Sequence, residues 1–201
     1  MKHLIVVAGA STGGKTSHVD ATCELLGRSS RESFAAFLKD EAIKRGWSGR
    51  KDKQGRLFLQ RLQRELKDRY GEDIFARKML EQAALSYKDL RSNFVFVDDH
   101  RFSIERLTLN AAVNVEKKLG DTKLTYVKFF DSIAEALWEK AFNAGEEWAH
   151  HPSELEWRAF PDSAWDVIYH NDRTCGLDYS VSQFFDSINR FAEIKTRRGS
   201  K

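Results

Sequence analysis

The stretch His3-Leu-Ile-Val-Val-Ala8-Gly9-Ala-Ser11-Thr12-Gly13-Gly14-Lys15-Thr16 decides how this chain folds. Residues 3–8 form a short apolar run rich in Val and Ile, the signature of a strand buried on both faces. The next eight residues match G-x-x-x-x-G-K-[ST], the phosphate-binding loop, in the context it requires: a buried strand before it and a helix opening within it. Gly9 and Gly14 permit a turn whose backbone N–H groups, including those of Ser11, Thr12 and Gly13, point inward at one anion. The helix N-terminus adds positive character. Lys15 reaches β- and γ-phosphate oxygens as a mobile point charge, and the Thr16 hydroxyl is placed to hold Mg²⁺. These residues predict a nucleoside triphosphate site and leave the reaction open.

Working outward, apolar runs alternate with amphipathic segments. That alternation predicts an α/β domain on a mostly parallel sheet. A helix is expected over 15–26, with Gly27 just past its end. Residues 33–35 read as a short strand and 36–45 as a helix, followed by a polar, Gly-containing loop over 47–55. Helices are expected over 56–70 and 74–86, the second capped by Asp73. Strands over 93–98 and 124–129 flank a helix over 104–119, closed by Gly120. The stripe Ala134, Leu137, Trp138 and Ala141 predicts a core-facing helix over 132–144. The polar stretch 145–162 has no clear period. A last strand is expected over 167–169, then a helix whose core stripe is Val181, Phe184, Phe185, Ile188 and Phe191.

A length of 201 residues fits one domain, 1–201. Fourteen phenylalanines and five tryptophans exclude a disordered composition, since there is ample apolar surface to bury. No stretch approaches the roughly 18 apolar residues of a membrane span, and the N-terminal apolar run is too short for a secretory signal. Cys23 and Cys175 cannot form a disulfide framework or a zinc cluster alone, so a reducing cytoplasm is expected, with both thiols buried or inert. The net charge is +3; the basic tail 195–201 reads as a solvated end rather than a nucleic-acid arm. His3, His18, His100 and His170 lack ligand spacing and read as structural or surface residues. Trp148, Trp157 and Trp165 read first as packing, with base stacking as the alternative.

Two further elements carry candidate chemistry. Phe94-Val-Phe-Val-Asp98-Asp99-His-Arg101 places carboxylates at the end of a buried strand, where ligands of α/β folds collect. Asp98 or Asp99 would face Mg²⁺ and its water shell, and Arg101 would offer a guanidinium fork to phosphate oxygens. On the helix from Arg56, the residues Arg56, Gln60, Gln63 and Lys67 share one face, while Leu59, Leu62 and Leu66 share another that docks it. The polar face can line a cleft, with Lys39 as nearby positive charge.

Three blocks together support a more specific comparison. They are the phosphate loop; Phe34-Ala-Ala-Phe-Leu-Lys39 with Gly46-Trp-Ser-Gly49 and Lys51-Asp-Lys-Gln-Gly55-Arg56-Leu-Phe-Leu-Gln60; and Asp99-His-Arg101-Phe-Ser-Ile-Glu105 with His151-Pro-Ser-Glu154 and Asp166-Val-Ile-Tyr-His-Asn171-Asp172. This set resembles the P-loop deoxynucleoside monophosphate kinases of the phage type, relatives of adenylate and dephospho-coenzyme A kinases. The resemblance implies a three-layer P-loop kinase fold with a parallel sheet, a helical acceptor-binding segment at 33–86 and a small lid at 145–162. It implies ATP as phosphoryl donor, Mg²⁺ as cofactor and a deoxynucleoside monophosphate as acceptor. Lys15 and the loop amides would hold the donor phosphates, Thr16 and Asp99 the Mg²⁺, and Asn171 would lie near the adenine. Lys39, Arg56 and Gln60 would face the acceptor, with Arg101 bridging both sets of phosphates. Lys15, Arg101 and Asp99 are thus the candidate catalytic residues, and His151, Glu154 and Arg158 the candidate lid residues, Arg158 being the insert's single arginine.

Two other readings stand beside this one. The chain could be another P-loop small-molecule kinase, acting on dephospho-coenzyme A or a metabolite hydroxyl. It could also be a nucleotide-dependent switch or nucleic-acid-associated ATP-binding module. No membrane partner is expected, nucleic acid is disfavoured, and a homodimer is left open.

Overall fold

Side chains of Lys2–Gly9 (β1) alternate between two buried layers, as a central parallel strand requires. Leu4, Val6 and Ala8 enter one core, and Ile5 and Val7 the other. The computed structural model describes residues 1–50 and 52–192. Around β1 stand Ser29–Ser33 (β2), Phe94–Asp98 (β3), Thr122–Asp131 (β4) and Val167–Asn171 (β5), all parallel, in the order β2-β3-β1-β4-β5. The helices Lys15–Leu26 (α1) and Leu177–Ala192 (α8) cover one face, Phe184 and Ile188 packing with Val19. The other face is covered by Ile74–Lys88 (α4) and Ser103–Asn110 (α5), with Trp157 and Trp165 joining them.

Register gathers the functional ends. Gly9 pairs with Phe129, Ser33 with Asp98, and Asp131 with Asn171. The loop after β1 is therefore ringed by the C-terminal ends of the other four strands, the edge where ligands of such sheets bind. Over this edge lie Ala36–Lys44 (α2) and Lys53–Tyr70 (α3). They share a small core of Leu38, Ala42, Leu62, Leu66, Ile74 and Phe75. Each large side chain buried there contributes about 2 kcal/mol, and this fixes α3 against the sheet.

Several expectations are corrected. The second strand is Ser29–Ser33 rather than 33–35. Its sequence, SSRES, carries no apolar alternation because an edge strand here buries neither face fully. The helix expected over 104–119 leaves α geometry at Ala111–Val115, a π-helical turn. Asp73 occupies the N-cap position of α4, but its carboxylate accepts from Arg77 Nε instead of the backbone. The unpatterned insert holds a 3₁₀ turn at Glu147–His150 and a helix, Pro152–Ala159 (α7).

The helix Ser132–Asn143 (α6) ends one residue short of the expected bound, and only Ala134 of its stripe is buried, with Leu137 58% exposed. Trp138 faces the insert, donating Nε1–H to the Ala149 carbonyl at 3.2 Å. Val181, Phe184, Phe185 and Ile188 are buried as expected; the Phe191 side chain and the tail 195–201 lie outside the described residues. Cys175 is exposed, whereas Cys23 is half-buried and burial pushes its thiol up to about 11. Among the described residues, no helix is long and apolar enough to cross a membrane.

Candidate active site

The phosphate loop owes its path to two glycines. Gly14 caps α1 with φ 92°, in the left-handed region. A Cβ on Gly9 would sit 2.3 Å from the Phe129 carbonyl oxygen in the central ladder. Lys15 is buried, its ammonium donating to the carbonyls of Gly9 at 2.9 Å and Ala10 at 2.7 Å. Burial, with Arg101 adding repulsion, lowers its pKa to about 8.

Ser11, Thr12, Gly14, Lys15, Thr16, Arg31, Lys39, Asp98 and Asp99 line one cavity of about 460 Å³ over this loop. Thr16 Oγ1 donates to Asp98 Oδ2 at 3.0 Å, so of the two strand-end carboxylates it is Asp98 that meets Thr16. The cause is backbone geometry. Asp98 still belongs to β3, but Asp99 has φ 62° and leaves the strand direction. Its carboxylate turns to Lys39 Nζ at 3.8 Å and Arg101 Nη2 at 3.5 Å. Among the described residues, Asp98 Oδ1 is buried and accepts no hydrogen bond. A hydroxyl, a buried carboxylate with one oxygen unserved and an adjoining phosphate cavity suit a hydrated Mg²⁺, which keeps most of its waters and takes only one or two protein oxygens. No group of three or more His, Cys, Asp or Glu among the described residues could hold a metal by itself.

A second group braces the loop from beneath, and of its members only Asn171 stood out in the sequence. Asp131, at the end of β4, accepts Arg173 Nε at 2.7 Å, Asn171 Nδ2 at 2.7 Å and the Ala134 N–H at 2.8 Å. Burial alone would raise this carboxyl; Arg173 and the other donors bring it below the ordinary carboxylate range. Arg173 also donates to the Thr12 carbonyl at 3.0 Å, and Asn171 to the Gly13 carbonyl at 3.2 Å. His18 sits between the Gly14 carbonyl, 3.0 Å from Nδ1, and Ser180 Oγ, 2.7 Å from Nε2. Ser180 in turn donates to Asn171 Oδ1. Asn171, expected beside adenine, bonds to the loop and its brace.

Beside the phosphate cavity lies a pocket of about 180 Å³ with largely apolar walls. Phe34, Leu38, Leu59, Phe75 and Phe102 form its floor and sides, and Gln60, Gln63 and Arg56 reach in from α3. The Arg56 guanidinium stacks 4.9 Å from the Trp148 ring, so α3 and the insert meet across the mouth. Lys67 lies outside the lining, over the Phe102 ring at 4.0 Å. Lys39, expected to face the acceptor, borders the phosphate cavity instead. Gly55 lets the preceding loop touch α3: a Cβ there would lie 2.0 Å from the Arg50 carbonyl oxygen. Asp52 caps α3 by accepting the Gly55 N–H at 2.8 Å, and Trp47 Nε1 donates to the same Arg50 carbonyl at 3.1 Å.

Arg101 lines this pocket and joins it to the insert. Its Nη1 lies 3.3 Å from Glu154 Oε1, Glu154 Oε2 accepts from Arg158 Nη1 at 3.0 Å, and Arg158 Nε reaches Glu135 at 3.0 Å. Arg158 also stacks on Trp138 and Trp157, so this lid candidate ties the insert to α6. His151 is the N-cap of α7, accepting the Ser153 N–H on Nδ1 at 3.2 Å. Glu105 accepts the Arg101 and Phe102 N–H groups, and burial still raises its pKa to about 7. His100, between Asp99 and Arg101, is fully buried among aromatic rings and held neutral, its pKa near 3 through burial. Ser11 and Asp99 border both cavities.

Among solved structures, a gluconokinase from Sinorhizobium meliloti 1021 is 19% identical, with 96% of this chain and 94% of that chain covered and a TM-score of 0.52. A protein from Chloroflexus aurantiacus, provisionally named a kinase, is 16% identical over 94% of this chain and 97% of that chain, with a TM-score of 0.53. No family model matches the chain, and no curated protein does. The α/β fold with its five-stranded parallel sheet is shared with these two structures.

Proposed function

We propose that this protein is a Mg²⁺-assisted, ATP-dependent kinase whose acceptor is a small molecule, and that the acceptor is a deoxynucleoside monophosphate. The carrying observation is the shared wall. A phosphate cavity and a second pocket meet at Ser11 and Asp99, so two ligands would approach each other there. Phosphoryl transfer needs positioning and charge neutralisation more than covalent help. In this reading the loop amides and Lys15 hold the donor phosphates, while Thr16 and Asp98 hold the metal. When bound, Mg²⁺ neutralises charge on the β- and γ-phosphate oxygens. Arg101 stands at the junction and meets the acceptor phosphate, with Arg56 behind it. An aromatic pocket edged by the Gln60 and Gln63 amides suits a planar base better than a polyol, which needs many polar partners.

One observation favours a second reading. The Asp99 carboxylate lies at the junction, where a general base for a hydroxyl acceptor belongs. The likeness to a gluconokinase fits that alternative. A coupled ADP-release assay with MgATP separates the two readings. Turnover of the four deoxynucleoside monophosphates supports the monophosphate acceptor. Turnover confined to sugar acids, dephospho-coenzyme A or other alcohols supports the hydroxyl acceptor. ATP binding without transfer to any of them leaves a nucleotide-dependent switch and refutes both kinases.

A further inference from the structure

Arg31 lies on β2, a polar edge strand, and borders the phosphate cavity. Its side chain crosses from β2 to the strand end beside the phosphate loop. Nη1 lies 3.3 Å from Asp98 Oδ2, the same oxygen that accepts the Thr16 hydroxyl. On the other side Arg31 Nε donates to Asp20 on α1 at 2.5 Å. Asp98 is 2% exposed and Arg31 35%. One carboxylate oxygen therefore has two donors while the other, Oδ1, is buried with no donor among the described residues.

That asymmetry is costly unless it serves something. A buried carboxylate oxygen without a donor loses its hydration with no return. A carboxylate rotates freely about its Cβ–Cγ bond, and two donors on one oxygen stop that rotation. We propose that Arg31 is a positioning residue: braced by Asp20, it fixes the Asp98 carboxylate so that Oδ2 serves Thr16 and Oδ1 is kept for the water shell of a divalent cation. The partners beyond a metal's direct ligands commonly set its affinity in this way. Arg31 also borders the phosphate cavity, so a direct phosphate contact is the competing account, and Asp20 separates the two. Asp20 is outside the cavity lining and is hydrogen-bonded to Arg31.

The inference rests on reading the site as one for Mg²⁺ and a nucleotide. Calorimetric titration of ATP into the wild type, Arg31→Met and Asp20→Asn, each with EDTA and with Mg²⁺, tests both, with thermal unfolding as the control for folding. The quantity read is the gain in ATP affinity that Mg²⁺ brings. It should fall about tenfold in Arg31→Met and about threefold in Asp20→Asn, with metal-free binding within about twofold of wild type in Asp20→Asn. An unchanged gain in both variants overturns the proposal. So does an equal loss with and without metal in Arg31→Met, which makes Arg31 a phosphate ligand. A wild type that binds ATP equally with and without Mg²⁺ instead refutes the reading of the site.

Discussion

Gly55→Ala isolates the acceptor side of the site. Real side chains essentially never place Cβ within 3.0 Å of such an atom, yet the new methyl would meet the Arg50 carbonyl oxygen at 2.0 Å and Trp47 Nε1 at 3.0 Å. The loop or the first turn of α3 must therefore yield by about 1 Å. Either movement strains the Trp47–Arg50 bond and the Asp52 cap. Overpacking of this kind costs about 1–3 kcal/mol, and a weakened cap about 1 kcal/mol more. Alanine's better helix propensity returns about 1 kcal/mol. The net loss is on the order of 2 kcal/mol, which lowers Tm by about 4–8 °C in a chain of this size.

Because Arg56 follows at once and lines the pocket, the displacement should reach the acceptor and spare the phosphate loop, which is held by β1 and β4. Differential scanning calorimetry reads the first effect. Saturation curves for acceptor at fixed MgATP, and for MgATP at fixed acceptor, read the second. We expect acceptor KM to rise about tenfold and the MgATP KM to stay within twofold. A variant of unchanged Tm and unchanged acceptor saturation would refute the steric account of this glycine. An equal rise in both KM values would refute the division of the site into two halves.

Arg56→Ala should likewise weaken acceptor saturation far more than ATP binding, and equal losses would contradict its place at the pocket mouth. Lys15→Met should fold yet transfer phosphate at least a hundredfold more slowly, as ADP release will show. The same variant yields a pH test. A lysine whose folded pKa is lowered from 10.5 to about 8 destabilises the native state fully below pH 8, and the penalty fades as pH rises towards 10.5. Stability of the wild type relative to Lys15→Met should therefore climb by on the order of 3 kcal/mol over that interval. Urea midpoints at pH 7.5 and 10 measure it, and a flat difference would show that the ammonium is well solvated. Arg173→Ala leaves the buried Asp131 with fewer donors and frees the Thr12 carbonyl. ATP affinity should fall about tenfold, and unchanged calorimetric binding would remove the brace from the site.

The sequence showed what is local and concealed what is assembled. The phosphate loop was legible because its geometry is written into eight consecutive residues. The polar face of α3 was legible from period, since Arg56, Gln60 and Gln63 do line one pocket. Which of two adjacent carboxylates meets Thr16 was not legible, because the answer depends on a single positive φ at Asp99. The α6 stripe had the right period and the wrong partner: its tryptophan faces the insert, and Leu137 faces solvent. Arg31, His18, Asp131 and Arg173 were invisible as site residues. Each acquires meaning only when the sheet order places distant strand ends side by side.

The brace beneath the loop has a consequence for the order in which the protein becomes competent. The phosphate motif occupies residues 9–16 and is synthesised well before the groups that hold it in shape, at positions 131, 171, 173 and 180. A growing chain therefore carries the motif long before it can grip a nucleotide, and tight ATP binding should follow the docking of α8, which brings Ser180 to His18 and Asn171.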